Sequence, residues 1–129
     1  MSAARPWVKP PDAALAHLQR PPAHLTKGML QARQAAARRG WMGRQWVALW
    51  TLVNHESAWN PRAQNPTSTA YGRFQFLDST WAEVGAVKTS DPDVQLRAGL
   101  AYIAKRYGTP EKAWSFWWHQ NDDGKGHWY

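Results

Sequence analysis

The sequence predicts a single, mainly α domain interrupted by one polar loop. Three observations carry this. The chain has 129 residues, 43% of them hydrophobic, which suits one domain with one core. Apolar residues recur at three- and four-residue spacing in several segments bounded by helix caps and breakers. Between two of those segments, residues 60–73 are crowded with Asn, Pro, Ser, Thr and Gly, which favour turns.

The elements follow in order. Residues 1–11 are rich in Pro and basic residues and read as an extended arm. Asp12 is placed to cap a short helix, DAALAHLQR, ended by Pro21-Pro22. Thr26 caps a helix over 27–39 that Gly40 stops, with Met29, Leu30, Ala32, Ala36 and Ala37 as its apolar stripe. The next helix runs from Arg44 to Ala58 on Trp46, Leu49, Trp50, Leu52 and Val53, with Asn60-Pro61 as its stop. The loop that follows allows a small hairpin using TAYGRFQF. Asp78 or Ser79 then caps a short helix to Val84. Asp91-Pro92 opens a longer helix to Tyr107, striped by Val94, Leu96, Leu100, Tyr102 and Ile103 and stopped by Gly108. Pro110 starts the last helix, PEKAWSFWWHQ, before a turn-rich tail, NDDGKGHWY.

Composition narrows the function. Sixteen Lys+Arg against nine Asp+Glu give +7, a surface that attracts polyanions: nucleic acid, anionic membrane or anionic cell wall. With no cysteine, disulfide frameworks and thiolate metal sites are excluded. No apolar run reaches the length of a membrane span. The first fifteen residues contain no long apolar stretch, so no secretory signal is visible. Ten tryptophans exceed what packing alone readily uses, because each indole N–H needs a partner when buried. Some of these rings are expected to line a groove.

One of the three glutamates stands out. In LVNHESAWNP, Glu56 shares a helix face with Val53, Leu52 and Leu49. It sits at the end of an apolar stripe and at a helix C-terminus, where the macrodipole disfavours negative charge. Both effects raise a carboxyl pKa, and a glutamate that keeps its proton near neutral pH can act as a general acid. A fraying helix end with an ordinary exposed glutamate is the competing reading.

The segment ESAWNPRAQNPTSTAYGRFQFLDSTW resembles the signature of the goose-type lysozyme and soluble lytic transglycosylase family. There, a helix ends in Glu-Ser, then come an aromatic and Asn-Pro, a polar loop, a Gly-x-x-Gln element and a Thr-containing helix start. The matching residues are Glu56-Ser57, Trp59-Asn60-Pro61, Gly72, Gln75 and Thr80. The C-terminal half, with Ala113-Trp114-Ser115-Phe116 and the final Trp128-Tyr129, is most similar to short wall-lytic modules of phage tail proteins and aggregation-promoting factors. The resemblance covers residues 44–129. It implies a lysozyme-like catalytic domain over 41–129, with an N-terminal arm and basic helix over 1–40 outside it.

By this resemblance, the substrate is the glycan strand of peptidoglycan, cut at the β-1,4 bond between N-acetylmuramic acid and N-acetylglucosamine without a cofactor. Glu56 is implied as the catalytic acid and then base, forming a 1,6-anhydro end. Ser57 is expected to orient Glu56 and Gln75 to bond an N-acetyl group. Tyr71, Phe74 and Trp59 are expected to offer faces to the sugar, and Gly72 to allow close backbone approach. The chain departs from the family in having Gly72-Arg73-Phe74-Gln75 where many members have Gly-Leu-Met-Gln. It also lacks the late Ala-Tyr-Asn-x-Gly motif, whose Tyr holds the carboxyl and sugar. Tyr71, Tyr102 or Trp117 is the expected replacement.

Hydrolysis usually needs two carboxylates flanking the bond. Asp78, Glu83, Asp91 and Asp93 read as a cap, a solvated residue and a helix opening, so lytic transglycosylation is favoured over a hydrolysing lysozyme. Two other classes stay open: a basic protein binding nucleic acid through Lys27, Arg33, Arg38, Arg39 and Arg44, and a wall-binding module without catalysis. His55-Glu56 begins like a zincin, but Trp59 stands where H-E-x-x-H needs its second His, so no metal site is expected. Contact of the basic helix with a membrane ranks below packing on the core. A phage product carried in the virion, or held in the host cytoplasm until release, fits the absence of a visible signal. Residues 1–40 are then a candidate dock for virion or tail proteins.

Overall fold

The computed structural model describes residues 12–122. The expected arm at 1–11 and the Trp128-Tyr129 pair lie outside the described residues. A 3-10 helix (Ala13–His17) is followed by α1 (Lys27–Arg38), α2 (Arg44–Ser57), α3 (Asp78–Glu83), α4 (Pro92–Arg106) and α5 (Pro110–Asp122). The domain is thus mainly helical, and its loop holds no strand. Only two isolated bridges, Gln64–Tyr71 and Tyr71–Phe76, stand where a hairpin was allowed.

The caps follow the chemistry of their residues. Asp12, Thr26 and Asp91 each accept a hydrogen bond from a first-turn backbone N–H. The N-terminal helix is nevertheless a 3-10 helix of five residues, shorter than its apolar pattern allowed. Asp78 does not cap α3. Leu77 holds the cap position and Asp78 lies in the first turn, where the helix dipole favours its charge, and it pairs with Lys88 at 3.0 Å.

The central event of packing is α2 against α5, with α1 and α4 flanking and the 3-10 helix laid on α5. Leu49, Leu52, Val53 and Trp114 are essentially fully buried. Burying aliphatic side chains of this size stabilises the fold by roughly 1.5–3 kcal/mol each. Trp114 also donates its indole N–H to the Ala14 carbonyl at 2.7 Å, so the N-terminal turn is fixed to α5 by a buried bond. In α1 the buried stripe is narrower than expected. Ala32 and Ala36 face the core and Met29 sulfur accepts from the Trp50 indole at 3.4 Å, but Leu30 is exposed. Gly99, in the middle of α4, is where the Phe74 ring crosses the helix; a Cβ there would lie 2.4 Å from the ring.

Candidate active site

Glu56 occupies the last turn of α2. Val53 and Leu52 carry this helix face into the core, so the carboxyl emerges where the apolar stripe ends. From α5, Trp117 donates its indole N–H to Glu56 Oε1. The residue is only half-buried, yet protein crowds its carboxyl. Desolvation pushes its pKa up to about 8, against the opposing Trp117 bond, which favours the ionised form. Among the described residues no second carboxylate contributes to the shift. At neutral pH the proton therefore stays on Glu56, and the partial exposure leaves it a route to a ligand.

The helix side of the site is aromatic. Trp114 and Trp117 stack at 5.2 Å and 14°, and the His55 ring packs 5.1 Å from Trp114 and 5.0 Å from Trp117. Partial desolvation lowers the His55 pKa. Tyr107, at the end of α4, lies close enough for the Glu56 charge to add to the rise of its pKa, which is caused first by burial. Of the three residues expected to replace the late tyrosine, Trp117 reaches Glu56. Tyr102 is buried in the core with Phe76 and receives a bond from Arg106 at 3.2 Å. Tyr71 bonds to Ser90 through its hydroxyl.

The loop side is polar and braced on backbone. The chain leaves α2 through two left-handed residues, Ala58 at φ 50° and Trp59 at φ 64°. The helix therefore ends at Ser57, before Asn60-Pro61 acts. Such backbone costs of order 1–3 kcal/mol per residue, and bonds across the turn offset it. Ser57 Oγ donates to the Arg73 carbonyl at 2.8 Å, and Arg73 Nε donates to the Trp59 carbonyl at 2.9 Å. Ser57 thus ties helix to loop, rather than contacting Glu56 as expected.

Gln75, itself left-handed at φ 52°, is buried and donates its amide to the carbonyls of Gly72 at 2.8 Å and Ala63 at 2.9 Å. Its N–H groups are committed to the loop and are not offered to an N-acetyl group. Phe74 and Trp59 are 5% and 7% exposed. As core residues they present no open face to a sugar, which corrects the platform expectation, and Tyr71 is only half-covered. Gly72, at φ 85°, is required because a Cβ would lie 2.6 Å from Gln95 Nε2. Its role here is close approach to a buried side chain.

Gln95 escaped the sequence reading. It projects from α4 with 2% exposure, donating to the Pro61 and Thr89 carbonyls at 2.7 and 2.8 Å and accepting from the Arg73 N–H at 3.0 Å. A glutamine amid α4's polar residues gives no signal of this. Tyr107 and His55 were also missed. The signal for Tyr107 was its place four residues after Ile103, which continues the buried face of α4.

The sequence matches the family described as Transglycosylase SLT domain over residues 31–119, more than half of the chain. Two curated relatives are each named membrane-bound lytic murein transglycosylase F. That of Pseudoalteromonas translucida (strain TAC 125) is 31% identical over 91 residues, covering 60% of this chain and 19% of the relative. That of Alcanivorax borkumensis (strain ATCC 700651 / DSM 11573 / NCIMB 13689 / SK2) is 29% identical over 79 residues, covering 56% and 17%. The chain thus spans less than a fifth of the length of these relatives. No solved structure matches it significantly.

Proposed function

The chain belongs to the transglycosylase SLT domain family, and we propose that it is a peptidoglycan lytic transglycosylase using Glu56 as its one catalytic carboxyl. The observation that carries this is Glu56 at the end of α2, its carboxyl desolvated and held by the Trp117 indole, with no second carboxylate among the described residues contributing to its pKa shift. Glu56 gives its proton to the glycosidic oxygen as the bond from the muramic anomeric carbon breaks. The carboxylate left behind takes the proton of the same sugar's C6 hydroxyl, whose oxygen closes on the anomeric carbon. The products are a 1,6-anhydro end and a free hydroxyl on the leaving sugar. Glu56 ends protonated, and no water is consumed.

The setting is part of the same proposal. The likeness of Ala113-Trp114-Ser115-Phe116 to phage tail wall-lytic modules supports carriage by a phage, for wall penetration or host lysis, with action on the wall in the periplasm. The exposed Lys27, Arg33, Arg38, Arg39 and Arg44 suit the approach to an anionic wall.

The test is mass spectrometry of purified peptidoglycan digested by wild type and by Glu56→Gln. Anhydro-muropeptides from the wild type alone are expected. Reducing ends in their place would make the protein a hydrolase. No products from either, together with salt-dependent nucleic-acid binding, would make it a basic binding protein.

A further inference from the structure

Beyond Tyr107, on the side of α5 away from the His55–Trp117 stack, lies a cleft of about 550 Å³. Leu15, Tyr107 and Phe116 give it an apolar floor, and four charged residues rim it: Asp12, Glu111, Arg106 and Lys112. The two acids are already engaged. Asp12 accepts from the Ser115 hydroxyl and from the Ala14 N–H at 2.9 Å, and pairs with His119 at 2.8 Å. Those bonds, Ser115 first, hold its pKa down to about 2. Glu111 accepts from Gln45 at 3.1 Å and pairs with Arg44 at 3.9 Å.

The cations are not engaged in the same way. Among the described residues no carboxylate pairs with Arg106 or Lys112. Arg106 is also held in place: its guanidinium lies 5.7 Å from the Tyr107 ring centre and 5.9 Å from those of Phe116 and Tyr102, and it donates to the Tyr102 hydroxyl at 3.2 Å. A planar guanidinium held on aromatic faces is preorganised for a carboxylate. A compact ammonium beside it adds charge of the same sign.

We infer that this cleft is a carboxylate subsite, in which Arg106 and Lys112 take the free carboxylates of the peptide substituents carried by the glycan strand. The choice of ligand rests on the proposed cleavage of peptidoglycan; the cleft and its charge do not. The apolar floor and the volume fit a short peptide, and Tyr107 joins this floor to the Glu56 site. Arg106 and Lys112 then act as specificity residues, favouring strands that bear peptides with free carboxylates over bare strands.

The test has two arms. In the first, the full chain, isotope-labelled, is titrated by NMR with a synthetic stem peptide having free carboxylates and with its fully amidated form. Saturable shifts at Arg106 and Lys112 with the free-carboxylate peptide are expected, weakened roughly threefold to fivefold by Arg106→Gln or Lys112→Glu. Arg106→Lys should retain more binding than Arg106→Gln. Equal response to both peptides, or shifts elsewhere, would overturn the inference. In the second arm, the rate on peptide-bearing strands is divided by that on strands stripped of peptide. This ratio should fall in both variants, through KM, and a ratio equal to the wild type's would overturn the inference. Peptide binding without any strand cleavage would keep the subsite and sink the cleavage reading; cleavage without peptide binding would do the reverse.

Discussion

The two walls around Glu56 are built by opposite means. The helix wall, α2 against α5, is rings: Trp114, Trp117 and His55 pack on one another, and Trp117 reaches the desolvated Glu56 carboxyl. The loop wall, residues 58–76, is braced by hydrogen bonds, with its own Gln75, Ser57 of α2 and Gln95 of α4 spending their side chains on backbone groups, while Trp59, Phe74 and Phe76 turn into the core. The difference teaches where function and architecture separate. The aromatic wall sets the chemistry of the acid. The polar wall holds a turn that would otherwise not persist, since it contains three non-glycine residues at positive φ. The Gly-x-x-Gln element belongs to the second task here.

If the walls differ in this way, their variants must fail differently. Glu56→Gln should cause the largest change, with strand cleavage falling about a thousandfold or more while circular dichroism shows an intact fold. The loop wall should break through stability. Gln95→Leu leaves the Pro61 and Thr89 carbonyls and the Arg73 N–H without their partner, at a cost of about 3 kcal/mol, seen as a lowered midpoint in denaturant. Gly99→Ala gains helix propensity of about 1 kcal/mol but drives a methyl into the Phe74 ring. Overpacking of about 1–3 kcal/mol should win, and the midpoint should fall modestly.

Two further effects sharpen the aromatic side. Trp117→Phe keeps much of the ring and removes the N–H that favours ionised Glu56, so the alkaline limb of kcat/KM should move to higher pH. A limb moving down would mean that Trp117 excludes more water than phenylalanine can, by enough to outweigh the lost bond. The last effect is on stability. Glu56 has a folded pKa of about 8 against 4.5 for the ordinary side chain. The folded state therefore holds this proton more tightly than the unfolded state does. That contribution is fully present below about pH 4.5 and is lost as pH rises through about 8. Melting temperature followed across that window should fall with a slope that Glu56→Gln removes.

Much of this was legible in the chain. Helix positions followed from spacing and from caps such as Thr26 and Asp91, and the polar loop from its turn residues. Glu56 was visible as a carboxyl closing an apolar stripe. What was not legible depends on distance across the fold. Nothing local marks Gln95 as the brace of a loop more than twenty residues away, or shows that Phe74 and Trp59 turn inward. The end of α2 was placed correctly at Ala58, but on Asn60-Pro61 as the stop, whereas the left-handed exit depends on tertiary bonds from Arg73 and Ser57. Trp117 was one of three candidates, and only packing of α2 on α5 selects it.

The account turns on an acid kept protonated by its aromatic wall. The most direct test is a carbon-13 NMR titration of the Glu56 side-chain carboxyl in the full chain, with Glu56→Gln used to assign the signal. A midpoint near pH 8 is the predicted result. A midpoint near 4.5, the ordinary value, would mean that the carboxyl is hydrated and ionised at neutral pH, and would contradict the role given to the α2–α5 wall.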